Sequence, residues 1–168
     1  MTDAPGLEAS VGHGQELRKE AYTTALYVAI CLLAALTALP ETGRAHAHVI
    51  RIIWGVTIGL ALAHWFAFRV SARLVAAGDV RPEDVQSAGA QLIGAAGVAL
   101  LASIPVFLFS ESAELALVEL SLAAFIGLVG YAVARGSGAT RARALAYALS
   151  VLLFAVLIAA LKNGLAGH

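Results

Sequence analysis

Charge is what this chain has least of. Only 13% of its 168 residues are Asp, Glu, Lys or Arg, where a soluble domain carries about 25%. Eleven basic residues cancel eleven acidic ones, so the chain lacks the basic footprint of a nucleic-acid binder and the charge excess of a disordered tail. Its one cysteine, Cys31, excludes an internal disulfide framework and a CxxC pair. HExxH, GxSxG and P-loop patterns are missing too, so the sequence points to no enzyme activity and no cofactor. What is present is apolar. Hydrophobic residues make up 60% of the chain, against about 45–50% in soluble domains, and the mean hydropathy is +0.84. These values predict an all-α integral membrane bundle.

A membrane span needs about 20 mainly apolar residues to cross about 30 Å of hydrocarbon. Five stretches meet that requirement: about 22–39, 49–70, 86–109, 115–134 and 144–161. Each must be helical, because lipid satisfies no open backbone group. Pro82, Glu83 and Asp84 read as the first turn of the third helix, with acids at its positive dipole end. Gly136 and Gly164 read as helix stops, and Pro105 is expected to kink the third span. Ser110 to Glu114, with two carboxylates, reads as a tight acidic turn between spans three and four.

Residues 1–17 lack the basic start and apolar core of a signal peptide, so they are expected to form a mobile cytoplasmic tail. Residues 18–168 then form a single transmembrane domain. Basic residues set the orientation. With the N-terminus inside, the cytoplasmic side holds Arg18, Lys19, Arg69, Arg73, Arg81, Arg135, Arg141 and Arg143, and the outer side only Arg44, Arg51 and Lys162. The sequence has no evident internal repeat, which argues against a transporter built from inverted halves.

Ionisable groups inside spans cost about 2.5–3.5 kcal/mol on insertion scales, so each needs a reason. Glu119 shares a helix face with Ala123 and Gly127, a small-residue spacing that faces another helix, and Arg51 is its expected partner. The alternatives are an interhelical ion pair, a group reaching the outer surface, and a proton- or cation-handling site. His64 continues a polar stripe with Thr57 and Ser71. At similar depth lie Thr23, Thr24, Tyr27, Glu20, Gln91 and Tyr147. They either share an inward-opening hydrated cavity or make isolated interhelical hydrogen bonds.

Gly55 and Gly59, extended by Ala63, form a GxxxG face for close helix approach, within the chain or in an oligomer. Trp54, Trp65, Tyr22 and Tyr131 are expected interfacial anchors, and Arg69 and Arg73 snorkelling residues. His46 and His48, beside Glu41 and Arg44, read as a solvated outer loop, since further ligands for a metal do not follow at a suitable spacing.

Nine arginines against two lysines, with abundant alanine, suit a GC-rich bacterial source. The segment Leu60-Ala-Leu-Ala-His64-Trp65-Phe66-Ala67-Phe68-Arg69, with Lys162-Asn163-Gly164, resembles the small multi-pass integral membrane proteins of actinobacteria. The resemblance covers about a tenth of the chain. It implies a plasma-membrane location and brings no substrate or site residue with it. Two functions fit: an oligomeric permeation protein for protons, cations or a small solute, with Glu119 and His64 on its route, or a non-transporting accessory subunit. The expected surroundings are a lipid bilayer and either a second copy or a membrane partner, without nucleic acid.

Overall fold

The computed structural model describes residues 5–39, 46–75, 82–109 and 111–165. Five helices follow one another: α1 (Pro5–Thr37), α2 (His46–Val75), α3 (Pro82–Leu108), α4 (Glu111–Gly136) and α5 (Arg141–Leu165). All five are long and apolar enough to cross a membrane. They alternate in direction. The starts of α1, α3 and α5 share one end of the bundle, here the proximal end, with the finishes of α2 and α4.

The helices extend beyond the apolar runs, because a helix continues through polar residues until its backbone is capped, whereas hydropathy stops at the first charges. Two expectations are corrected on this ground. Residues 5–17 are helical rather than a free tail, and His13 Nε2 is hydrogen-bonded to Gln86 Oε1 of α3. The His46 and His48 pair belongs to the first turn of α2, not to a loop. Gly164 lies in the last described turn of α5, one residue before Leu165. Glu41 and Arg44 lie outside the described residues.

The connection between α4 and α5 shows its local cause. Gly138 adopts φ +84°, a left-handed conformation that glycine reaches at little cost. Its N–H bonds Arg135 O and the Ala139 N–H bonds Ala134 O, both at 3.1 Å, the two bonds of a Schellman stop. Thr140 then caps α5, its Oγ1 accepting from the Arg143 N–H at 3.4 Å. Pro105 is buried one turn before the end of α3, and its carbonyl accepts from the Phe109 N–H at 3.0 Å.

α1 is the hub of the bundle, packing on all four other helices and most extensively on α3. Ala25, Val28, Ala29, Leu32 and Leu36 of α1 meet Ala95, Val98, Ala99, Ala102 and Val106 of α3 in the core. A Cβ on Gly94 would lie 2.2 Å from Ala21 O of α1, so only glycine allows the two backbones this close. Gly130 plays a milder version of that part, bringing α4 against Ala148 and Val151 of α5. On α4 the buried line runs Glu114, Val118, Leu122, Ile126, Gly130 and Ala134, with the four-residue spacing of one helix face.

α2 behaves differently. Val49, Ile53 and Thr57 on its first half are buried. From Ile58 to Ser71 none of its described side chains is buried.

Candidate functional site

The polar groups gather at the proximal end, between α1, α2 and α3. Gln91 Nε2 donates to Glu20 Oε2 at 2.7 Å, joining α3 to α1. Next to this pair, Thr24, His64 and Gln91 line a cavity of about 20 Å³ with Ala61, Trp65, Ala88, Leu92 and Ala95. A water needs at least about 10–15 Å³ on the same measure, so the space suits one water. α1 and α3 approach closely at Gly94, and the second half of α2 supplies a wall of the cavity through Ala61, His64 and Trp65.

At the mouth of the same seam, His13, Glu16, Glu20, Asp84 and Ser87 border an open groove of about 460 Å³. Towards the distal end the seam becomes apolar, with Ala25, Val28, Ala95 and Val98 packed together. The polar zone is thus a recess open at one end.

The residues expected to share a cavity divide into two groups. Glu20, Thr24, Gln91 and His64 are brought together. Thr57 is not: it is buried, and its Oγ1 donates to Ile53 O one turn back on its own helix at 2.7 Å. Thr23 Oγ1 likewise donates to Lys19 O at 2.8 Å. Tyr27, Ser71 and Tyr147 are exposed and do not line the cavity.

Glu119 lines a second groove, at the distal end, of about 500 Å³. It shares that groove with Ala123 and with Leu33 and Thr37 of α1 and Val156 and Ala160 of α5. Arg51 is not part of this lining. It is exposed on α2, and its Nε donates to Ala47 O at 2.8 Å. The helices that line the groove with Glu119 are therefore α1 and α5, where the sequence suggested α2. Gly127, next along that face, has open space where a Cβ would stand.

Sequence reasoning missed Glu114, which it placed in a turn. Because α4 starts at Glu111, Glu114 falls on the line of Val118 and Leu122, and it is fully buried. Glu119 lies about 140° further round the helix. The four-residue spacing from Glu114 to Ile126 was the available signal, hidden by starting the helix one turn too late.

On α2, Gly55, Gly59 and Ala63 face outwards, and a Cβ on either glycine would meet nothing within 4 Å. At its proximal end Arg69 stacks over the Trp65 ring, 5.1 Å from the centroid, a cation–π contact suited to an interfacial anchor. Among the described residues, no group of three His, Cys, Asp or Glu side chains is placed to hold a metal ion. Comparisons with known protein families, curated proteins and solved structures give no match.

Proposed function

We propose that this protein is a non-catalytic, non-transporting membrane subunit that associates laterally, with a second copy of itself, through α2. The observation that carries the proposal is the outward face of Gly55, Gly59 and Ala63 on a helix whose second half has no buried side chain among the described residues. In lipid, apolar surface gives no drive for helix pairing, and small residues permit the close backbone contact that does. A flat glycine face also fits its own copy, as a two-fold interface requires. Local pairing favours the same reading: Thr57 and Ser103 are each satisfied on their own helix, and the closure at Gly94 separates the proximal polar recess from the distal end.

In this proposal the N-terminus is cytoplasmic, because the proximal end collects most of the basic residues. The membrane is a bacterial plasma membrane, as the resemblance to actinobacterial multi-pass proteins implies.

Association is tested by energy transfer between labelled copies in liposomes at increasing lipid dilution. Transfer above the random level is expected for the wild type, and a drop to that level for Gly55→Leu/Gly59→Leu. Random transfer in the wild type overturns the proposal.

One observation favours a second reading as a proton or cation pathway. Glu20 and Gln91 are hydrogen-bonded at one end of the bundle, and His64 lines the cavity beside them. Proteoliposome flux separates the two readings: the subunit reading expects none, and the pathway reading expects flux that His64→Ala and Glu119→Gln abolish.

A further inference from the structure

The geometry points to an anionic phospholipid site between α1 and α4, with one acyl chain in an apolar groove and the phosphate at Lys19. The groove measures about 710 Å³. Its walls are Leu26 of α1 and Phe125, Leu128, Val129, Ala132 and Val133 of α4, and Lys19, Tyr22 and Thr23 border its proximal mouth. From Lys19 to Leu26 it descends about 10 Å along α1, at 1.5 Å per residue, which takes it from headgroup level into the hydrocarbon.

Charge selects the occupant. Lys19 is the charged residue lining the groove, and its ammonium group is 3.8 Å from Glu16, with both side chains more than two-thirds exposed. At that distance the pair makes no hydrogen bond, so the three donors of the ammonium remain able to turn to a phosphate. Arg135, further along α4, is outside the lining and donates to Ala139 O at 2.7 Å, which leaves Lys19 as the cation at the mouth. Thr23 has committed its hydroxyl hydrogen to Lys19 O, whereas Tyr22 is more than half exposed and suits the headgroup boundary. An apolar trough with a cation at its polar end is complementary to a two-part amphiphile of negative headgroup. The inference depends on membrane insertion and not on pairing through α2.

The test is native mass spectrometry of the full chain from mixed micelles holding equal phosphatidylglycerol and phosphatidylcholine. We expect one retained lipid, with phosphatidylglycerol preferred by about fivefold, the factor of one basic side chain at an anionic surface. Lys19→Gln should bring the ratio close to one. Ala132→Phe, which fills the groove and leaves the charge alone, should reduce retention of both lipids. Inorganic phosphate at millimolar concentration should not compete, because it lacks the chain. Equal retention by the wild type, an unchanged ratio in Lys19→Gln, or displacement by phosphate would each overturn the assignment. Circular dichroism of both variants checks that the fold survives.

Discussion

Gly94 and Gly59 are the same residue type, each in mid-helix in a helix long and apolar enough to span a membrane, and the structure uses them in opposite ways. Gly94 lies in the α1–α3 seam, where even a methyl group would meet Ala21 O. Gly59 lies on α2 with open space around it. The span-length stretches of α1 and α3 are each 39% buried, those of α2 and α5 17% and that of α4 22%. α1 and α3 therefore form the closed frame of the protein, and among the more exposed helices α2 is the one that turns a pair of open glycines outwards. A glycine at a helix crossing fixes internal structure, and one on an outward face is available to another molecule.

The largest effect that would break this contrast is at the seam. Gly94→Ala should cost about 2–3 kcal/mol or more, because backbone rather than a flexible side chain opposes the new methyl group. Reversible unfolding in mixed micelles would measure it, and a loss below about 0.5 kcal/mol would mean that the seam is loose. Gln91→Leu should come next, at about 1–2 kcal/mol, since it removes the interhelical bond to Glu20 and leaves that carboxylate without the amide. Glu20→Gln should cost less, as an amide can still accept from Gln91. The Thr57→Val cost should be about 0.5 kcal/mol or less, because the hydroxyl serves only its own helix and valine keeps the shape. The smallest effect is expected for Gly59→Ala on the unfolding of the single chain, within about 0.5 kcal/mol either way. A loss there as large as that of Gly94→Ala would erase the contrast between the two helices.

The five spans were legible in the sequence because lipid enforces helix and length at once. Their ends were not. The polar residues of Pro5–Glu20, His46–His48 and Glu111–Glu114 are helical as well, which hydropathy does not see. The faces were hardest to read. A helix that is apolar all round has no polar side to mark its exterior, so the sequence could not say whether Gly55 and Gly59 look inwards or Gly94 outwards. Glu114, the fully buried acid, was left in a turn for the other reason, because α4 starts one turn before the apolar run does. At the candidate site, the grouping of His64, Gln91, Thr24 and Glu20 was legible because one depth in the membrane held several polar residues. Thr57 and Tyr27 were read into it for the same reason, and their helix faces take them elsewhere.

The measurement closest to the central claim is oxidative cross-linking in membranes, on a Cys31→Ser background, of Gly59→Cys compared with Gly97→Cys. Both glycines are exposed with open space around them, but only Gly59 is on the α2 face. The account predicts rapid disulfide-linked dimer for Gly59→Cys and little for Gly97→Cys. Equal cross-linking at both positions, or none at Gly59→Cys, would contradict it.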